Sequence, residues 1–375
     1  MVDQKIIAVD ALDAAPARSN GNSKGLALDP RPLLDAAGGR VHLERLDALG
    51  GRSILHANQF DRQTVIDLCR TAALLEATNV EPIKPLDGKI AITAFFEAST
   101  RTRLSFESAM LRLDGKVLSV PDGRVTGIAK GESLADIGEM FNTYGDVVIM
   151  RHPETSSVEE IRRNLALPLI NAGNGSGQHP TQALLDWYAL LKWRPALAAA
   201  DCPANERIHL GIVGTPGSMR AVKSFLATAL LFGNAIRRIT IVSELADPVG
   251  IDLETAIDEC TIPVEMTNDV QEVLSDLDVI YINSIVFLGD SYRQLDSRFR
   301  LNADSDLKRA AVIMHPLARR GELDTSLDAT AHNMYFAQAA GAVFVRQALL
   351  IAVLHRLDKL ARFAGPGGAG PAPRT

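Results

Sequence analysis

Hydroxyl and guanidinium side chains alternate in residues 99–103, which read Ser-Thr-Arg-Thr-Arg. An apolar run ending at Phe96 precedes them, and Phe106, Met110 and Leu113 follow with the i, i+4, i+7 spacing of an amphipathic helix. We therefore predict a helix that begins directly after a buried strand. The free backbone N–H groups and the dipole of such a helix favour an anion, and arginine donors match phosphate oxygens. The local pattern fits a helix N-cap followed by surface arginines equally well.

Two later polar segments also follow apolar runs. Arg151 comes directly after such a run, where open α/β sheets place ligands. His179 and Gln182 end a Gly- and Asn-rich loop, and their pairing favours a polar site over an isolated loop histidine. The Gly-containing turn at residues 214–217 lacks the GxGxxG spacing, which argues against a dinucleotide site.

Short β-branched runs alternate with amphipathic stretches along the chain. This alternation predicts an α/β fold of two domains, each with a central parallel sheet flanked by helices. A surface connection is expected around residues 193–206, and a long apolar helix near residues 343–360 is expected to be the last element. The predicted strands are residues 90–96, 147–150, 169–171, 208–213, 239–242, 279–282 and 311–314.

The ends of the chain differ in composition from its centre. Residues 1–45 are rich in Ala, Gly, Asp and Asn, and we expect a loosely ordered extension. Residues 363–375 are of low complexity and are expected to be disordered. Between them we expect one domain over residues 46–182 and a second over residues 183–342.

Composition excludes several classes of function. The net charge of −6, with mixed signs and no basic stripe, argues against nucleic-acid binding. No apolar run reaches the ~20 residues of a membrane span, and the N-terminus does not resemble a signal peptide, so a cytoplasmic protein is expected. The three cysteines lie far apart and form no Cys/His cluster, which argues against disulfides and a metal site.

The sequence FFEASTRTRLSFESA, which begins at Phe95, resembles the carbamoyl-phosphate signature of the aspartate/ornithine carbamoyltransferase family. Segments 150–153, 171–182 and 314–319 resemble further family motifs in the same order, and the stretch from residue 335 to 350 resembles the aspartate branch. The resemblance covers about residues 50–360. It implies the family fold and no cofactor, with carbamoyl phosphate bound by residues 46–182, completed by helix 343–362, and the acceptor bound by residues 183–342.

The resemblance also implies roles for individual residues. The carbamoyl-phosphate site would consist of Ser99, Thr100, Arg101, Thr102, Arg151, His179, Gln182, Pro316 and Leu317. His179, with Thr102 and Arg151, would stabilise the carbonyl oxygen as charge develops on it. Gln182 and the backbone carbonyls of Pro316 and Leu317 would orient the carbamoyl NH2 group. Attack by the acceptor amine would then need positioning and electrostatics but no covalent enzyme intermediate.

The acceptor side of the implied site would comprise Arg220, Asn283, Ser284, Val286 and Lys130. Arg220 would bind the α-carboxylate of an amino-acid-like acceptor. Lys130 matches a mobile loop that in the family reaches into the neighbouring subunit's site, which implies a homotrimer with shared sites. Without the resemblance, Lys130 would be interpreted as a flexible surface lysine.

The acceptor loop departs from the family pattern. Ser284 and Val286 stand where the aspartate branch has Arg and Gln, and neither can neutralise a carboxylate. Losing a charge-assisted pair in a closed site costs about 2–5 kcal/mol. Arg293 or Arg298 could substitute, and Ala318 replaces a family proline. We therefore expect an active carbamoyltransferase whose acceptor is not aspartate. The alternatives are a true aspartate carbamoyltransferase of pyrimidine biosynthesis and a non-catalytic homologue within a complex.

Overall fold

The computed structural model describes residues 6–8, 25–78, 83–283 and 297–363. Two domains follow one another, each built on a parallel sheet, as the alternation of strands and helices predicts. The elements up to the end of the first sheet are β1 (Ile6–Ala8), α1 (Arg31–Asp35), β2 (Arg40–His42), α2 (Arg62–Ala77), β3 (Ile90–Phe95), α3 (Thr100–Arg112), β4 (Lys116–Val120), α4 (Leu134–Phe141), β5 (Val147–His152), α5 (Ser157–Arg162) and β6 (Leu169–Asn174).

The second half of the chain contains the remaining elements. They are α6 (Pro180–Trp193), β7 (Ile208–Val213), α7 (Arg220–Ala229), β8 (Ile236–Val242), α8 (Ile251–Glu259), β9 (Val264–Thr267), β10 (Val279–Ile282), β11 (Val312–Met314), α9 (Tyr335–Ala340), α10 (Ala342–Val353) and α11 (Leu357–Phe363). A 3-10 helix, Pro195–Ala198, lies in the predicted connection after α6.

The first sheet has the strand order β4-β3-β5-β6, with all neighbours parallel. Phe95, at the end of β3, pairs with Arg151 of β5. The segment that follows β3 therefore lies beside Arg151, at the carboxyl edge of the sheet. The edge strand β4 was not predicted, because its alternation of polar and half-exposed residues lacks a continuous apolar run.

The second sheet has the order β11-β10-β7-β8-β9, again entirely parallel. Every residue of β7 is buried, as expected for a central strand covered by helices on both faces. Val213 pairs with Ile282, so the loop before α7 and Asn283 emerge at the same edge. The turn after β11 emerges beside them, because Met314 pairs with Tyr281.

Two buried helices join the domains. Residues Pro180 to Lys192 of α6 are all buried, and Trp187 stacks on Phe232 of the second domain with ring centroids 3.8 Å apart. Helix α10 packs against α2 and α3 and returns the chain to the first domain. The helical stretch Tyr335–Val353 is long and apolar enough to cross a membrane, but 67% of it is buried, which is typical of a core helix.

Two expectations about the ends of the chain are wrong, and one predicted domain boundary lies within a helix. The extension is not loosely ordered throughout, because α1 and β2 bury Leu33, Leu34 and Val41 against the first domain. The final helix is two helices. His355 adopts a left-handed φ of 55°, and Arg356 donates its N–H to the Ile351 carbonyl, so α10 ends in a Schellman motif without glycine. The expected boundary between residues 182 and 183 falls inside α6. Of the predicted disordered tail, only Phe363, the last residue of α11, lies within the described residues.

Candidate active site

The carboxyl edges of both sheets face a cavity of about 870 Å3 between the domains. Ligands bind at this edge in open α/β sheets generally. The predicted residues that line the cavity are Ser99, Thr100, Arg101, Thr102, Arg151, His179, Gln182, Arg220, Asn283, Pro316 and Leu317. The fold thus brings together side chains that lie more than 200 positions apart in the sequence.

The start of α3 forms one wall of this cavity. Ser99 is the N-cap residue with extended backbone, but its side chain makes no capping hydrogen bond. No side chain therefore caps the first N–H groups of α3, and the Ser99 hydroxyl is not used as a cap. This distinguishes the start of α3 from an ordinary N-cap. No carboxylate among the described residues pairs with Arg101, whose guanidinium stays charged although burial lowers its pKa. These features suit a dianionic phosphate.

Glu97 joins two cavity-lining arginines that belong to opposite domains. Its Oε1 lies 2.7 Å from Nη2 of Arg151, and its two oxygens lie 2.7 Å and 2.9 Å from Nη2 and Nη1 of Arg220. Burial alone would raise the pKa of Glu97, but the hydrogen bonds and charges of the two arginines hold it below its ordinary value. Glu97 is therefore a carboxylate that fixes both guanidinium groups at the rim of the site.

His179 is the N-cap residue of α6 and is almost fully buried. Its backbone N–H donates to Oγ of Ser224 on α7 (2.8 Å), which anchors it to the second domain. Burial, with the positive charges of Arg151 and Arg220, holds the pKa of His179 well below 6.5. The imidazole is therefore neutral at neutral pH, with one N–H to donate to a substrate oxygen.

His315 fixes the turn that carries Pro316 and Leu317. Its Nδ1 accepts the backbone N–H of Leu317 (2.7 Å), so its Nε2 carries the proton and donates to Oε1 of Glu322 (2.8 Å). Burial lowers the pKa of His315 and outweighs the opposing effect of Glu322. A neutral, buried histidine thus holds the turn. The backbone carbonyls of Pro316 and Leu317 are thereby positioned beside the cavity.

The structure does not place the remaining predicted site residues in the cavity wall. Lys130 ends an exposed 3-10 segment, Gly127–Lys130, and does not line the cavity of its own chain. Ser284, Val286 and Arg293 lie outside the described residues. Arg298, the other proposed substitute, has its guanidinium 5.7 Å from the Phe299 ring centroid and is not part of the cavity wall.

Sequence reasoning missed three charged residues of the site region. Glu97 lies within the recognised motif, two residues before Ser99, but no role was assigned to it. Asp186 is a single acidic residue in the apolar helix α6, four positions after Gln182, and this spacing was the available signal. Arg346 is buried in α10 and lines the cavity, with its guanidinium 4.6 Å from the Phe106 ring centroid.

Comparison with known proteins agrees with this geometry. Residues 52–192 match the model of the aspartate/ornithine carbamoyltransferase carbamoyl-P binding domain. Residues 206–353 match the model of the Asp/Orn binding domain of the same family. The chain belongs to the aspartate/ornithine carbamoyltransferase family. The family predicted from the motifs is thereby confirmed, and so are the two-domain parallel-sheet fold and the assignment as a carbamoyltransferase.

Similar relatives include aspartate carbamoyltransferases. The aspartate carbamoyltransferase catalytic subunit of Pyrobaculum calidifontis is 33% identical over 310 residues, covering 81% of this chain and 98% of that protein. The catalytic subunit of Methanospirillum hungatei is 36% identical over 281 residues, covering 72% and 89%. A crystal structure of Trypanosoma cruzi aspartate transcarbamoylase with carbamoyl phosphate and aspartate is 31% identical, with a TM-score of 0.72, and covers 82% of this chain and 98% of that chain.

Proposed function

We propose that this carbamoyltransferase transfers the carbamoyl group of carbamoyl phosphate to the amino group of aspartate and releases phosphate. The observation that carries the proposal is the cavity itself, in which an uncapped helix start in one domain faces Arg220 of the other. The former suits a phosphate and the latter an α-carboxylate. The relatives named as aspartate carbamoyltransferases support aspartate as the acceptor.

The reaction follows from the positions of the neutral and charged donors. Ser99, Thr100 and Arg101 hold the phosphate, and the acceptor amine attacks the carbamoyl carbon. His179, Thr102 and Arg151 donate hydrogen bonds to the carbonyl oxygen as it becomes negative. The tetrahedral intermediate collapses, the bond from carbon to the phosphate oxygen breaks, and the leaving phosphate accepts the proton of the amine.

A second candidate is an acceptor that has an α-carboxylate and an amine but lacks the β-carboxylate of aspartate. The observation that favours it is the presence of Ser284 and Val286 where the aspartate branch has Arg and Gln. Neither side chain can pair with a second carboxylate. In this case Arg220 would still hold the α-carboxylate, and the acceptor loop would contact an uncharged or cationic side chain.

A phosphate-release assay with saturating carbamoyl phosphate separates the two candidates. The purified protein is tested with aspartate, ornithine and another diamino acid. A low KM for aspartate alone supports the first candidate. A better acceptor without a β-carboxylate supports the second, and Ser284→Arg/Val286→Gln should then lower the KM for aspartate. Phosphate release that no amine stimulates would contradict carbamoyl transfer itself, and Arg101→Ala provides the inactive control.

We further propose that the chain forms a homotrimer with shared sites. Leu104 and Leu111 on α3, Leu118 on the edge strand β4 and Val125 after that strand are exposed apolar side chains, and Leu104 also lines the cavity. A second copy covering this surface would bury them and could receive the exposed Lys130 into its site. The mass in solution tests the proposal, and a monomer would contradict it. In a trimer, mixing inactive Arg101→Ala and Lys130→Ala chains should restore partial activity.

A further inference from the structure

Asp186 is a fully buried carboxylate at the centre of a hydrogen-bond network that the mechanism above does not use. Its Oδ1 accepts from the side-chain amides of Gln182 (2.7 Å) and Gln338 (2.5 Å). Its Oδ2 accepts from the hydroxyl of Tyr281 on β10 (2.9 Å). The network therefore connects α6, α9 and the second sheet directly behind the cavity wall.

An ionised carboxylate can only accept hydrogen bonds, and this determines how both amides are oriented. Gln338 must present its NH2 to Asp186, which leaves its Oε1 to accept the backbone N–H of His315 (3.0 Å), as observed. Gln182 must likewise present its NH2 to Asp186. Its carbonyl oxygen is then left for the cavity, which Gln182 lines.

Both groups that Asp186 orders lie where the donor's NH2 group is expected to bind. The oxygen of Gln182 is one acceptor for that group. The carbonyls of Pro316 and Leu317 are the others, and their turn is connected to Asp186 through His315 and Gln338.

We infer that Asp186 is a positioning residue that makes the site select a donor bearing an amino group. It does so by fixing the Gln182 amide with its oxygen toward the carbamoyl NH2. The inference rests on the proposed function for the identity of the donor. A carboxylate that only tied the two domains together through Tyr281 would stabilise the fold but would not affect donor selection.

The test compares carbamoyl phosphate with acetyl phosphate, which has a methyl group in place of the amino group. Binding is measured by calorimetry on the full chain, which needs no turnover. Burial raises the pKa of Asp186 to about 7, opposed by its hydrogen bonds and by Arg346, so measurements at pH 8 keep it mostly ionised. The wild type should prefer carbamoyl phosphate.

Asp186→Leu is of similar size but has no acceptor atom, so it leaves the amides of Gln182 and Gln338 without the oxygen that orients both. We expect its preference for carbamoyl over acetyl phosphate to fall about ten- to hundredfold, through weaker carbamoyl phosphate binding, while the Kd of acetyl phosphate changes less than about threefold. Tyr281→Phe is the matched control. It removes a hydrogen bond to the same carboxylate without reorienting either amide, and should keep the preference.

A double-mutant cycle tests whether Asp186 affects donor preference through Gln182. If Asp186 acts through Gln182, adding Asp186→Leu to Gln182→Ala should change the preference less than about threefold further. Equal weakening of both ligands in Asp186→Leu, or a large further loss in the double variant, would overturn the inference. If Asp186→Leu does not fold, Asp186→Ala decides, because it removes the acceptor without adding bulk, and a preserved preference there would also overturn the inference. A wild type that binds the ligands selectively but transfers no carbamoyl group would contradict only the proposed function.

Discussion

Removing the charge of Glu97 is the perturbation that tests the interdomain part of the site most directly. Glu97→Gln keeps the shape of the side chain, but it replaces the only carboxylate among the described residues that pairs with Arg151 and Arg220. Burial lowers the pKa of Arg151, and repulsion by the charge of Arg220 lowers it further. Without Glu97 the two cations should separate, and substrate binding must order both again.

The size of the effect follows from the three hydrogen bonds between Glu97 and the two arginines. A hydrogen bond to a charged group contributes about 1.5–3 kcal/mol. The amide keeps one acceptor oxygen, and the side chain is about a third exposed, so solvent screening reduces the total. We expect a loss of about 2–3 kcal/mol of transition-state stabilisation, which is roughly 30- to 150-fold in kcat/KM.

Initial rates of phosphate release at saturating carbamoyl phosphate, measured over a range of acceptor concentrations, give this ratio. The KM for the acceptor should rise, because Arg220 loses its orientation. Glu107→Gln is the matched control, since Glu107 pairs with Arg103 on α3 and lies outside the cavity wall. It should change kcat/KM less than about twofold. If Glu97→Gln were as active as wild type or more so, Glu97 would compete with substrate for the arginines, and the reasoning would be refuted.

Two further predictions concern the carbamoyl-phosphate half of the site. Arg101→Ala should lower kcat/KM for carbamoyl phosphate by about 30-fold or more. The control is Arg103→Ala, because the Arg103 side chain lies outside the cavity wall. Equal losses of kcat/KM in the two variants would show that the phosphate site is misassigned. His179→Ala should lower kcat by about 100- to 1,000-fold. Because the pKa of His179 lies well below 6.5, its imidazole is neutral above that pH and gains a proton only on acidification. The wild-type rate should therefore not increase from pH 8 to pH 6.5, and an increase would indicate that the imidazolium is the active form.

The features predicted correctly from the sequence are those encoded by neighbouring residues. Buried parallel strands appear as short β-branched runs, and the strand Ile208–Val213 was predicted with its observed bounds. The hydroxyl-rich segment follows strand β3 and forms the N-cap and first turn of α3, so its place at a helix start follows from local pattern alone. Edge strands and helix ends were predicted less well. The exposed edge strand β4 has no continuous apolar run, and α10 ends at the left-handed His355, where the sequence lacks the glycine that usually marks a helix end.

The sequence alone determined the two-domain parallel-sheet fold and the carbamoyltransferase family, and it predicted residues that line the cavity between the domains. Only the tertiary structure placed Glu97 between Arg151 and Arg220, over separations of 54 and 123 residues. The same holds for Asp186, whose partners Tyr281 and Gln338 lie 95 and 152 residues away. Spacing along the chain specifies strands, helices and turns, whereas the partner of a buried charge depends on which elements pack together. Charge pairing across two domains therefore becomes visible only when both sheets are in place.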